Sequence, residues 1–389
     1  MVGLVLARLL STGAAEQGCH VRIVVIEAEA PDTRTRDSEL DLRISALSPA
    51  AQTLLVSAGC WEQLPPQAVS PYQKMCVWQG SYTKDARQIL FDAAELGVPE
   101  LGHIVENRAV RASLWDQLMQ TDGCKLVTGR RLTGATPSTA GNGWELSTEQ
   151  ETLHARLLVG ADGARSWVRQ QLSIAYRERS YGQNALVAHI ASESSHDATA
   201  WQKFLPGGPV ALLPLADGRS SLVWSHPAEQ TEELLAMNDQ AFAARLSSEF
   251  EYVLGELRCT TQRASFPLAR GHAACYTAER AVLIGDAAHR IHPLAGQGAN
   301  LGLLDARVLA AALLEHLRIP YADPGDALVL RRYERSRKAD NLATMSAMDG
   351  LDQLFRSPLA DVGGMGMGAV NQLGFLKTAL ARHAMGLQA

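Results

Sequence analysis

The chain has 389 residues, 47% of them hydrophobic and 20% charged, with a net charge of −5. This is globular composition with length for two domains that share an interface, and its acidic balance argues against nucleic acid as a partner. The six cysteines show no CxxC pair and no metal-ligand spacing, so a reduced, cytoplasmic protein is expected rather than a disulfide-stapled one; no apolar run reaches the ~18–20 residues of a membrane span, and the apolar start lacks the basic flank of a signal peptide.

Residues 1–17 predict a helix, with Val2, Leu4, Val5, Leu6, Leu9 and Leu10 as its apolar positions and Gly18 as its stop. Residues 21–27 predict a buried strand ending in Glu27. Helix, glycine, strand and terminal acid make the second half of a βαβ dinucleotide-binding unit. Gly3 then takes the place of the last fingerprint glycine, and Glu27 that of the acid that binds ribose. An ordinary strand-end carboxylate is the other reading of Glu27. The first half of the unit is not in the sequence. An internal Met1 is preferred over a true truncation; loss of that strand would leave two strand edges open in the middle of a sheet.

Residues 40–48 lead into a helix at 49–58. Residues 75–78 and 88–91 predict strands of a second sheet. Residues 102–107 run into a helix with Val110, Leu114 and Leu118 at helical spacing. Leu157-Leu-Val-Gly-Ala-Asp-Gly163 is a buried strand followed by a tight Asp-Gly turn. From Tyr181 to Pro267 the segments 185–190, 201–204, 210–214 and 220–224 alternate like strands of a largely antiparallel sheet, half-buried and suited to floor a cavity. Leu283-Ile-Gly-Asp-Ala-Ala-His289 is a short buried strand and a turn on Gly285 and Asp286. Pro293, Gly296 and Gly298 then open a helix to about Leu317, and another helix covers 326–355. Arg331–Lys338 reads as one face of a solvated helix. The glycine- and methionine-rich tail, Asp361 to Met385, suits packing on the body, a partner or a membrane.

Asp286 suits a polyol hydroxyl, and glycines at a helix N-terminus let backbone N–H groups approach a negatively charged ligand. Together they suit a flavin. The ordered set Met1–Glu27, Arg43, Asp162-Gly163 and Gly285–Gly302 resembles the p-hydroxybenzoate hydroxylase-like FAD-dependent monooxygenases. His292-Pro-Leu-Ala-Gly-Gln-Gly-Ala-Asn-Leu-Gly302 is similar to the UbiH/UbiF/VisC (UbiI) family of ubiquinone-biosynthesis hydroxylases. Phe91–Leu96, Val105–Asn107, Trp201–Pro206, Leu213–Leu215 and Ser221–Trp224 look most like its UbiF-type branch.

The resemblance implies an α/β fold. A Rossmann-like FAD-binding domain without its first strand would comprise residues 1–70, 106–175 and 276–340. An interleaved substrate domain on a mostly antiparallel sheet would comprise 71–105 and 176–275, followed by a helical C-terminal region, 341–389. It implies FAD held by Gly3, Glu27, Arg43, Asn107, Asp162, Gly163, Gly285, Asp286, Gly296, Gln297, Gly298, Ala299 and Asn300. NAD(P)H is the implied reductant. For Arg43 a surface or capping role is the alternative, for Asn107 a plain N-cap, and for Asp286 a turn residue. The implied chemistry is hydroxylation of a polyprenylated phenol or benzoquinol, like 3-demethoxyubiquinol, through a flavin C4a-hydroperoxide. Pro293, Gly296 and Gly298 would form the flavin-ring loop, and no acid–base side chain is assigned. His289 and His292 read as packing, and no metal site is expected. The substrate implies a long apolar channel and docking at the inner membrane face or in a biosynthetic complex. Hydroxylation at another ring position (UbiI or UbiH type), a flavin halogenase or dehydrogenase, and a non-catalytic scaffold are the competing readings. The absent halogenase W-x-W-x-I-P phrase counts against the halogenase.

Overall fold

In the computed structural model, which describes residues 1–29, 40–82, 87–291, 297–356, 367, 371 and 373–386, the alternating segments build a large mixed sheet. Its strands lie in the order His289–Arg290, Ala264–Ala273, Tyr176–Ser192, Ser220–Pro227, Gly208–Pro214, Thr199–Leu205, Lys74–Gln79 and Gln88–Asp92. All neighbours are antiparallel except Thr199–Leu205 beside Lys74–Gln79, which run parallel. The expected antiparallel floor is therefore present, with one parallel pair joining its two sequence blocks.

Successive strand residues point to opposite faces. On one face Leu186, Ala188, Leu212, Leu222 and Trp224 pack against Leu234, Phe242 and Leu246. Those three come from helices Ala228–Ala236 and Asp239–Glu249. The stretch 181–267 is thus not all strand. Asn238 starts the second of these helices by accepting from the Ala241 N–H at 2.8 Å, and burial of Phe242 and Leu246 four residues apart holds it down.

A second core is built around helices Val2–Glu16, Asn107–Met119 and Gln297–Leu317. Val5, Leu55, Leu114, Leu118, Leu283 and Leu309 are fully enclosed in their common core. Each such side chain contributes about 1.5–3 kcal/mol through burial. Ile23–Glu27 pairs in parallel with Cys124–Thr128, and Leu158–Gly160 with Ala281–Leu283. Among the described residues, each of Ile23–Glu27 and Leu158–Gly160 has no strand partner on its other edge, so the parallel sheet stands in two pieces. A small antiparallel sheet, Leu132–Pro137, Trp144–Thr148 and Thr152–Ala155, was not expected from the sequence.

Ile44–Leu47 pairs with Gly102–Glu106 and ends at Ser48. The Ser48 hydroxyl accepts from Ala51 N–H at 3.3 Å, and Pro49 takes the first helical position of Pro49–Ser57. In helix Ala327–Arg356 the basic stretch presents Arg331, Arg332 and Arg335 to solvent as expected, but Tyr333 and Arg337 are buried. At its far end Phe355 stacks on Phe204 with ring centroids 3.9 Å apart. Part of the tail from Asp361 lies outside the described residues. Its helix Gly374–Ala384 packs Ala381 and the following Met385 against Ala93 and Leu101. Among the described residues no helix is long and apolar enough to cross a membrane.

Candidate active site

On the other face of the large sheet, helices Ala327–Arg356 and Gly374–Ala384 cover the Lys74–Gln79 end, through Phe355 on Phe204 and through Ala381 and the following Met385 beside Met75 and Phe91. Ala185, Val187, Ala211, Leu213 and Val223 alternate along three strands and wall a cavity of about 680 Å³, inside the ~300–1,000 Å³ range of cofactor and small-molecule sites. Its opposite wall brings together residues from distant parts of the chain: Met1 and Val2, Arg43, Asn107, Gly163, Asp286, and Gly298 to Asn300.

Glycines set how closely those segments meet. A Cβ on Gly3 would stand 2.9 Å from the Ala161 Cβ, and one on Gly302 would stand 2.8 Å from Val2. At these distances a larger residue would have to push its neighbour aside. Gly285 takes φ +58° and packs on Val2, while Gly163 takes φ +83°. A Cβ at Gly163 would meet nothing within 4 Å, and at Gly298 only Ile291 at 3.9 Å. Both therefore present bare backbone to the cavity. The helices starting at Val2 and Gln297 bring their N-terminal ends to the same space, where backbone N–H groups and the dipole favour an anionic ligand.

Asp286 opens onto the cavity, and among the described residues its carboxylate has no hydrogen-bond partner. The side chain is accessible from the cavity, and the protein packed around that space pushes its pKa above the usual carboxylate value, against the pull of His289 and Arg290. An acceptor held in a cavity without a donor is what a ligand polyol would satisfy. Asn107 is not a capping residue: the helix begins with it, and its side-chain oxygen accepts from Ser45 Oγ at 2.7 Å. Arg43 reaches over the Phe266 ring, 5.2 Å from its centroid. Asn300 is tied down on both sides, accepting from Ser48 N–H at 3.0 Å and donating to Ala46 O at 2.9 Å.

Not every expected residue reaches the cavity. Asp162 accepts from Val168 N–H at 3.0 Å, in the first turn of the short helix Trp167–Gln171 that Ser166 caps. Glu27 ends its strand 4.0 Å from Arg111, outside the cavity wall. Gly3 and Gly285 act behind the wall through the close packing described above. Pro293, Gly296 and His292 lie outside the described residues, as does the side chain of Gln297.

Two buried clusters behind the site carry no obvious sequence mark. Arg169 donates to Ala164 O at 2.8 Å and to Ala287 O at 2.7 Å, with its guanidinium 3.7 Å from the Tyr176 ring centroid. It therefore joins the Asp162-Gly163 turn to the Gly285-Asp286 turn. Asp305, fully buried, accepts from Gly285 N–H at 3.0 Å and from Arg337 Nε at 2.8 Å, and lies 2.5 Å from His289 Nε2. His289 is thus a packed, paired side chain. Asp305 alone left a signal, standing four residues from Leu301 and from Leu309, whereas Arg337 stands between Tyr333 and the polar Asn341. A charge within an apolar helical stripe implies a buried partner.

The matching family model, described as "FAD binding domain", covers residues 1–346. The chain is 38% identical over 380 residues to the ubiquinone hydroxylase UbiL of Rhodospirillum rubrum, covering 97% of this chain and 86% of the relative. It is 35% identical over 382 residues to the 3-demethoxyubiquinol 3-hydroxylase of Escherichia coli, covering 97% and 95%. Among solved structures, pqsL of Pseudomonas aeruginosa, titled a probable FAD-dependent monooxygenase, superposes with a TM-score of 0.72 at 23% identity, covering 96% of each chain.

Proposed function

The chain belongs to the FAD-dependent hydroxylases of ubiquinone biosynthesis, and on that premise we propose that it hydroxylates the ring of a polyprenylated benzoquinol of the 3-demethoxyubiquinol type, with O₂ as oxidant and NAD(P)H as reductant. The observation that carries this reading is one cavity with two characters: a glycine-lined end bearing Asp286 and two helix N-termini, continuous with an apolar sheet face.

FAD, when bound, supplies the reduced ring that activates O₂ and passes one oxygen atom to the substrate. The chain supplies binding, orientation and water exclusion. Asp286 accepts from the cofactor's polyol hydroxyls. The N-terminal ends of helices Val2–Glu16 and Gln297–Leu317 meet its negative charge. Arg43 and Asn107 would flank the ring, and Gly163 and Gly298 would let it approach the backbone. The quinol ring is electron-rich, so its positioning against the sheet face matters more than a proton-abstracting side chain. A substrate this apolar reaches the cavity from a membrane surface or from a partner protein.

The test is turnover of the FAD-loaded protein with NAD(P)H, O₂ and a 3-demethoxyubiquinol analogue. A quinol product heavier by one oxygen atom is expected, and its ring position separates the 3-demethoxyubiquinol reading from hydroxylation elsewhere. NAD(P)H oxidation that yields hydrogen peroxide alone would count against the proposal.

A further inference from the structure

The cavity is long in one direction. Its wall draws on Phe266, Val187, Val223, Ala211, Gln202, Met75 and Phe91, which stand on seven adjacent strands of the large sheet. Six inter-strand steps of ~4.8 Å make this roughly 29 Å. At one end the sheet borders the strand His289–Arg290, next to the Asp286 turn. At the other, Met75 and Phe91 face the C-terminal helix, whose Leu380 and Ala384, with Met385 just beyond it, complete the wall.

That helix is anchored where it lies. Ala381 and Met385 are buried against Ala93 and Leu101, Lys377 pairs with Glu95 at 2.5 Å, and Ala50 N–H donates to Met385 O at 3.4 Å. Leu380 nevertheless remains 48% exposed while lining the cavity. It stands at a rim, where the interior meets the outside.

We infer that the end of the cavity between Met75, Phe91 and the helix Gly374–Ala384 is a subsite for the isoprenoid tail of the substrate, with Leu380 at the point where the tail leaves the protein. This rests on the quinol-hydroxylase reading above. A planar ring occupies only a small part of a space this long. The remaining walls are mostly apolar, with Gln202 among them, and each methylene laid against the apolar part gains burial free energy. A tail entering at this edge leaves the glycine-lined end to the cofactor.

The experiment compares FAD-loaded wild type with Ala384→Trp, which fills the subsite, and Leu380→Asp, which places a charge on its rim. Two 3-demethoxyubiquinol analogues are used, one without a tail and one with three isoprene units. The ratio of kcat/KM for the tailed over the tailless analogue is expected to fall about tenfold or more in both variants, the cost of losing burial for a few methylenes. Kd for the tailed analogue, read from the change in flavin absorbance, is expected to weaken in step. A ratio and a Kd within about twofold of wild type in both variants, with FAD retained, would overturn the subsite. If wild type hydroxylates neither analogue, the substrate reading fails, and the Kd values for the tailed analogue still decide whether this end of the cavity holds an apolar chain.

Discussion

Arg337 donates from Nε to Asp305 Oδ1 at 2.8 Å with both side chains buried, and the other Asp305 oxygen holds the Gly285 N–H at 3.0 Å. A charge pair on two long helices thereby fixes the turn that presents Asp286 to the cavity. Removing Asp305 would strip the Gly285 N–H and His289 of their buried acceptor and leave Arg337 with Asp340 and Asn341 alone.

Asp305→Ala is therefore expected to lower stability by about 3–5 kcal/mol, measured by chemical denaturation. Replacing both Asp305 and Arg337 by Leu is expected to cost less than the single change. Burial pushes the Asp305 carboxyl up, but His289 and Arg337 outweigh it and hold the pKa below the usual value. Its stabilisation is then complete above the unfolded pKa of ~3.9 and lost only as pH falls through the lower folded value. Equal stability of Asp305→Ala and wild type at neutral pH would contradict this account.

Asp286 carries the opposite sign. The protein packed around it raises its folded pKa, so the ionised carboxylate disfavours the folded state at pH above that value. Asp286→Asn is expected to make the FAD-free protein more stable at pH 7. Asp286→Ala is expected to weaken FAD binding about 10- to 100-fold, the loss of a hydrogen bond to a charged acceptor. Thermal melts of the FAD-free protein and fluorescence titration with FAD check the two halves separately.

Two glycines divide folding from binding. A Cβ on Gly302 would stand 2.8 Å from Val2 and 3.3 Å from Gly285 Cα, whereas one on Gly298 meets ordinary contact at 3.9 Å. Gly302→Ala should destabilise the FAD-free protein by about 1–3 kcal/mol through overpacking. Gly298→Ala should leave that stability unchanged or slightly raised, since alanine favours a helix, yet weaken FAD binding by occupying the cofactor's approach. Full FAD affinity in Gly298→Ala would remove Gly298 from the site.

Two histidines set an acid limit. Burial lowers the pKa of His103 to about 4 and, with help from His289 and Lys338, that of His272 to about 4. The unfolded chain takes up these protons near pH 6.5 and the folded chain does not, so stability is complete above ~6.5 and declines as pH falls toward 4. At neutral pH the 3.8 Å approach of His103 to Glu100 is then no ion pair. Replacing His103 by Gln should flatten the slope of stability against pH between those limits.

The parts legible in the sequence are those governed by local period and turn chemistry. The strand at 158–160 with its Asp-Gly turn, the Gly285-Asp286 turn and the helix from Gln297 stand where the residues placed them. So do the alternating segments of the large sheet. Arg337 was misread as solvated because its partner Asp305 lies 32 residues away on another helix, a distance no local pattern spans. Asp162 stood in a family motif, but its carboxylate is used by the Val168 N–H nearby. The helices Ala228–Ala236 and Asp239–Glu249 were lost among strands because each is short and shows little apolar surface. The reach of the cavity across seven strands follows from strand order, which the sequence does not display.

The most direct test of the central claim is a single turnover of the FAD-loaded, chemically reduced protein with a 3-demethoxyubiquinol analogue and isotopically heavy O₂. The account predicts one heavy oxygen atom on the quinol ring for each flavin reoxidised. Flavin reoxidation with the label found only in hydrogen peroxide or water, and the quinol unchanged, would contradict it.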